Sequence, residues 1–166
     1  MSKTNYGYVR VAAAVPLVHV ADCQANAAEC LALVREAAKK SVQIICFPEL
    51  AITGYTCADL FHNQQLITDA ENALQWLVEQ TRGLDIIVIV GLPVRCGTSL
   101  FNAAAVLRKG EIFAVNAKTW LPNYTPKSSS RFSSTIFAIV SRCRCMVKAR
   151  MCGIGCMLRI TREPST

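Results

Sequence analysis

Apolar positions along the first 120 residues follow two periods, and each change of period marks an element. Tyr8 to Val15 starts with alternation and runs into small apolar residues, which predicts a strand buried on both faces and ended by Pro16. From Asp22 onward, Ala27, Ala28, Leu31, Val34, Ala37 and Ala38 recur at helical spacing, with Arg35, Glu36, Lys39 and Lys40 on the other side. That pattern predicts a helix with Asp22 as its cap. Val42 to Phe47 is a short apolar run with three β-branched residues, a strand that delivers the chain to Pro48 and Glu49. Leu66 to Thr81 returns to helical spacing through Leu66, Ile67, Ala70, Ala73, Leu74, Leu77 and Val78, with Arg82-Gly83 as the stop.

Asp85 to Leu92 is a continuous β run, and Phe101 to Leu107 is a weaker one. Arg108 to Glu111 forms a tight turn into Ile112 to Ala117, so the last two strands are expected to make a hairpin. Strand-helix-strand-helix-strand order points to an α/β sheet covered by helices rather than an all-β barrel or a helical bundle. The 166 residues are about one domain's worth. No internal repeat interrupts the pattern before residue 125.

Composition adds a division that periodicity does not reveal. Hydrophobic residues make up 52% and charged residues 17%, which excludes a disordered or collagen-like chain. The net charge is +7, yet residues 1–124 carry ten basic and ten acidic residues, and residues 125–166 carry eight basic residues against Glu163 alone. The longest dense apolar run, Ile86 to Leu92, is far shorter than the roughly 18–20 residues of a membrane span, so no membrane is expected as a partner. The first twenty residues lack a basic region followed by an uninterrupted apolar one, which points to a cytoplasmic protein. Nine scattered cysteines then read as free thiols rather than a disulfide framework.

Two charged residues follow predicted buried strands immediately: Glu49 after QIICFP, and Lys118 after EIFAVNA. Strand ends are where α/β enzymes place reactive groups; a partly desolvated carboxylate there can exchange protons, and a nearby ammonium can stabilise an oxyanion. The alternative at this stage is that both face water at loop tips.

The surrounding residues carry a resemblance. FPELAITGYTCADLF, from Phe47 to Phe61, resembles the first catalytic motif of the nitrilase, or carbon–nitrogen hydrolase, superfamily. Within it the motif is most similar to the glutamine-hydrolysing domain of bacterial glutamine-dependent NAD+ synthetases. GLPVRCGTSLFNAAAVLRKGEIFAVNAKTWLPNY, from Gly91 to Tyr124, is similar to that family's second block. The resemblance spans roughly residues 5–124.

It implies an α-β-β-α sandwich, here truncated, in which a Glu, a Lys and a Cys act together. Glu49 corresponds to the general base and acid, and Lys118 to the residue that stabilises the tetrahedral intermediate. Tyr55 and Tyr124 correspond to tyrosines that line the glutamine pocket and the ammonia exit. An amide carbon is a poor electrophile, so a thiolate must attack it while a cation or donor holds the developing oxyanion. Glutamine is the implied substrate, and no cofactor is implied for this chain. The complete family uses ATP, Mg2+ and deamido-NAD+ in a separate synthetase domain and forms homo-oligomers.

The nucleophilic cysteine is the missing part. The family places it in a Cys-Glu-Asp-like element whose expected position falls near or past Thr166, and no such element is identified. Cys57-Ala58-Asp59 imitates its letters eight positions after Glu49, inside the glutamate motif, and reads as structural. None of the cysteines Cys143, Cys145, Cys152 and Cys156 precedes an acid.

After Tyr124 the resemblance stops, which divides the chain into a partial hydrolase domain over 1–124 and a divergent basic, Cys-rich segment over 125–166. Three readings of that segment stand. One is a basic nucleic-acid or acidic-membrane binder, for which only Phe132 and Phe137 offer stacking. A second is a metal site on Cys143, Cys145, Cys152 and Cys156, whose gaps approach zinc-ligand spacing only loosely. The third, favoured here, is a shifted reading frame or a truncated, misassembled gene. The expectation is thus a fragment of a glutaminase domain, inactive alone, with no metal and no nucleic-acid partner; another nitrilase-type amidase or a non-catalytic basic binding protein are the alternatives.

Overall fold

A computed structural model describes residues 8–96, 99–120, 146–148 and 157–161, with side chains over 8–96 and 99–117. Strand β1 (Tyr8–Ala13) leads through an exposed apolar loop to helix α1 (Cys23–Lys39) and strand β2 (Ile44–Cys46). A short 3₁₀ turn over Ala58–His62 precedes helix α2 (Gln64–Gln80). Strands β3 (Ile87–Cys96), β4 (Ser99–Arg108) and β5 (Glu111–Trp120) follow, then β6 (Met146–Lys148) and β7 (Met157–Thr161). The sheet order is β5-β4-β3-β2-β1-β7-β6.

The central pairings β1–β2 and β2–β3 are parallel, as expected when a helix carries the chain back between strands, and β3–β4–β5 is an antiparallel meander. Helix α1 starts where the sequence predicts: the Asp22 carboxylate accepts from Ala25 N at 3.0 Å. Helix α2 is capped by Asn63, whose Oδ1 accepts from Gln65 N at 2.9 Å. The β4–β5 turn holds Lys109 at φ 53 and Gly110 at φ 81, the two-residue left-handed geometry that matches strand twist.

One continuous core joins both helices to one face of the sheet. Leu31 and Val34 of α1, and Ile67, Leu74 and Leu77 of α2, share it with Ile45, Val88, Val90, Leu92 and Leu107. The other sheet face holds a smaller cluster of Ile89, Ala104 and Val106, flanked by Ile44, Cys46 and Ile87. The described residues are thus one sheet and one helical layer of an α/β fold; a second sheet is not among them.

Several expectations change. Strand β1 is shorter than predicted and is part-exposed rather than buried on both faces, because the helices cover the sheet chiefly over β2–β4. Strand β3 runs four residues past Leu92 and forms a hairpin with β4 that the sequence pattern did not announce, since Pro93 and Arg95 break its apolar run. Strands β6 and β7, within the segment read as foreign to the domain, continue the sheet from β1. The proposed boundary at residue 124 lies outside the described residues.

Candidate active site

The glutamate loop is built from the end of β2. Pairing with β3 continues one residue beyond the strand, with Phe47 N donating to Ile89 O at 2.9 Å. Pro48 and Glu49 then leave the sheet, and Leu50 takes a left-handed conformation (φ 54) that β-carbon sterics disfavour. The turn persists because its surroundings over-determine it. Thr53 N and Gly54 N both donate to Leu50 O, at 3.1 and 2.8 Å, and Ile52 N donates to Gly91 O at 3.2 Å. Leu50, Ala51, Ile52 and Thr53 are all buried.

Gly91 of β3 is the floor of this loop. A β-carbon there would lie 2.6 Å from Leu50 N, 2.7 Å from Pro48 O and 3.0 Å from the Glu49 Cα. All three are backbone atoms, so a side chain at 91 forces the glutamate backbone off the strand. From the helical side, the fully buried Asn26 binds the loop to α1. Its Nδ2 donates to His19 O at 2.7 Å and Ile52 O at 2.9 Å, while Oδ1 accepts from His19 N at 2.7 Å.

Glu49 is half-buried, and Asn102 Nδ2 donates to its Oε1. Asn102 is itself buried on β4, opposite Pro93 of β3. On its other side Asn102 pairs with Thr119 while Ala103 pairs with Ala117, so Lys118 is the extra residue of a β-bulge. Bulges re-aim a side chain and sit next to active sites more often than elsewhere. The fold therefore brings the backbone of Lys118 beside the residue that holds Glu49; the Lys118 side chain lies outside the described residues. Tyr55 is half-buried against the main core, six residues beyond Glu49 in the same loop. Tyr124 lies outside the described residues.

Five free cysteines fall among the described residues. Burial pushes the thiols of Cys23 and Cys30 up to about 12 and that of Cys46 up to about 11. Asp69 acts in the same direction on Cys23, and Glu29 on Cys30. Cys57 is also raised by burial, and its Sγ donates to Thr53 O at 3.0 Å within the glutamate loop. Those four thiols are held as neutral donors or core atoms, the opposite of an activated nucleophile. Cys96 is exposed at the far end of β3. Among the described residues no group of three or more His, Cys, Asp or Glu could hold a metal ion, and no helix is long and apolar enough to cross a membrane.

Chemically, the arrangement offers a half-buried carboxylate fixed by an amide donor, with a lysine-bearing strand beside that donor. This suits proton transfer to and from a reacting group. Asn102 and Gly91 were not anticipated as site residues. The only signal was negative: each interrupts an apolar strand, Asn102 within LFNAAAVL and Gly91 within IVIVGLPV, where a larger apolar residue would otherwise pack.

Known proteins share both the sequence and the fold. A glutamine-dependent NAD(+) synthetase of Aquifex aeolicus (strain VF5) is 36% identical over 113 residues, which is 68% of this chain and 20% of that protein. The Mycobacterium bovis glutamine-dependent NAD(+) synthetase is 33% identical over 123 residues, 74% of this chain and 18% of that protein. The chain thus spans about a fifth of the length of the curated relatives it matches. The crystal structure of a glutamine-dependent NAD(+) synthetase from Cytophaga hutchinsonii superposes with a TM-score of 0.64 at 22% identity, covering 90% of this chain and 25% of that one. An amidase from Nesterenkonia sp. superposes at 0.58 and 21% identity, covering 72% and 46%. These two structures share the α/β nitrilase-type fold. The description "Carbon-nitrogen hydrolase" fits residues 10–151, a range that starts in β1 and holds Glu49, Asn102 and Lys118, and the chain belongs to the carbon–nitrogen hydrolase family.

Proposed function

We propose that this chain carries the glutamate and lysine of a glutamine-hydrolysing site, of the kind that supplies ammonia for the ATP-dependent amidation of deamido-NAD+ in NAD biosynthesis. The observation that carries the reading is the seating of Glu49. A loop in a disfavoured conformation is clamped from β3 and α1 and its carboxylate is held by Asn102, next to the bulge at Lys118. A carboxylate that merely faced solvent would need none of this.

In this reading Glu49 takes the proton from an attacking thiol, passes it to the departing ammonia, and then activates water against the thioester. Lys118 stabilises the oxyanion of each tetrahedral intermediate. Tyr55 and Tyr124 line the glutamine pocket. The same reading assigns ATP, Mg2+, deamido-NAD+ and self-association to a longer enzyme and none of them to this chain.

No nucleophile is assigned. Because nucleophile and base act as a unit, the purified chain is expected to release no ammonia from glutamine above background. Glutamine added to the isotopically labelled chain is expected to perturb the amides of the 49–57 loop weakly and saturably, and Glu49→Ala should remove the response. Absence of any perturbation sinks the glutamine assignment. Turnover that Glu49→Ala abolishes would instead overturn the expected inactivity.

A further inference from the structure

We propose that Asn102 is the positioning residue of Glu49: its carboxamide holds the carboxylate in one orientation and keeps Oε1 an acceptor, so that the proton moved during amide hydrolysis travels on Oε2. The identity of that proton transfer rests on the glutaminase reading above; the contact itself does not.

The Nδ2 group offers two N–H donors and no lone pair for a proton, so an oxygen facing it must accept. A proton on Oε1 would turn it into a hydroxyl, a weaker acceptor for Nδ2, whereas a proton on the other oxygen leaves Oε1 the carbonyl acceptor and the bond at full strength. Aspartate in this place would set two negative charges together, and lysine would neutralise the base by ion pairing. Asparagine fixes the geometry without adding a charge.

Its location makes it a rigid support. Strand β4 is paired with β3 from Ser99 to Arg108 and with β5 from Phe101 to Arg108, so Asn102 has a strand partner on each side. The residue is 4% exposed, and its side chain reaches a carboxylate 53 residues away in sequence. The register of β4 with β5 shifts twice, between Val106 and Leu107 and between Asn102 and Ala103, and the second shift makes Lys118 the extra residue. One strand position thereby ties the base to the segment bearing the lysine.

The test is an NMR pH titration of the full 166-residue chain, labelled with 15N and 13C. The Asn102 carboxamide resonance is assigned by its loss in Asn102→Asp, then followed in the wild type and in Glu49→Gln, which is close in shape and does not ionise. The expected result is a carboxamide signal that moves as Glu49 ionises in the wild type and stands still in Glu49→Gln. Backbone amides of Ile52 and Gly54 should be unchanged between the two, which separates positioning from a general structural role. Asn102→Ser, which shortens the donor, should move the Glu49 carboxyl carbon while leaving those amides in place.

A carboxamide indifferent to pH in the wild type, or one that titrates equally in Glu49→Gln, overturns the proposal. Glutamine added to the same samples separates the two claims. If glutamine perturbs the loop and Asn102 ignores Glu49, this proposal alone falls. If Asn102 follows Glu49 and glutamine perturbs nothing, the positioning contact stands and the glutaminase reading falls.

Discussion

The two faces of the sheet are built for different purposes. Under the helices, Val88, Val90, Leu92, Ile45 and Leu107 meet Ile67, Leu74, Leu77, Leu31 and Val34 in one large apolar core. On the opposite face the buried apolar set shrinks to Ile89, Ala104 and Val106, and the register partners Gly91 and Ala104 leave low ground beside which Asn102 holds Glu49. Alternate residues of the same strands thus build the large apolar core on one side and seat Glu49 on the other. Burial of large side chains gives the first face its energy, and small residues give the second face room for a polar loop.

Truncating side chains on both faces tests this division most directly. Leu77 is fully buried between α2 and the sheet, and Leu77→Ala should cost about 2–5 kcal/mol, read from the urea midpoint. Val106→Ala removes less from a smaller cluster and should cost about 1–2 kcal/mol on the basis of roughly 0.8 kcal/mol per buried methylene. Equal losses would show that the second face is as much a core as the first.

Gly91→Ala is the next largest effect and sharpens the contrast, because it acts on the site from below. Its new β-carbon meets backbone rather than a pliable side chain, so a cost of about 1–3 kcal/mol is expected, with the amides of Leu50 and Ile52 displaced in the NMR spectrum. An alanine accepted without movement of either amide would remove Gly91 from the account of how Glu49 is held.

What the sequence revealed follows the same division. Periodicity located α1, α2 and the apolar strands because each is a local pattern, repeated within a dozen residues. The position of Glu49 after a buried strand was legible for the same reason, and the motif around it supplied the role. The partners of Glu49 were not legible. Gly91 meets it through the pairing of β2 with β3, and Asn102 through the further pairing of β3 with β4, both of which join residues far apart in the chain. The β-bulge at Lys118 was equally hidden, since a bulge changes the register of two strands and not the pattern within either. The left-handed Leu50 gave no warning because leucine is not a residue that favours that conformation.

On the helix-covered side, the N-cap of α1 tests whether local capping contributes once the core is formed. Asp22→Ala removes the acceptor for Ala25 N and should lower stability by about 1 kcal/mol, measured by thermal or urea unfolding. Asp22→Asn should recover most of that loss, since it retains an oxygen acceptor. Failure of Asn to recover it would mean that charge near the helix start, rather than the hydrogen bond, is what matters there.

The smallest effect is expected farthest from either face, at the solvent side of α1, where Lys40 forms an ion pair with Glu36. The hydrogen bond and the charge of Lys40 hold the Glu36 carboxyl below its ordinary value. A lowered carboxyl adds stability above its unfolded pKa, and that stability is lost as pH falls through the folded value. Both side chains are exposed, however, so water and salt screen the pair. Lys40→Met should therefore leave the unfolding midpoint unchanged at physiological salt and neutral pH. At low salt it should flatten the acid limb of the stability–pH curve slightly. A neutral-pH loss comparable to that of Asp22→Ala would show that the outer side of α1 matters to stability as much as its cap does, and would replace the two-face division with one in which the surface also counts.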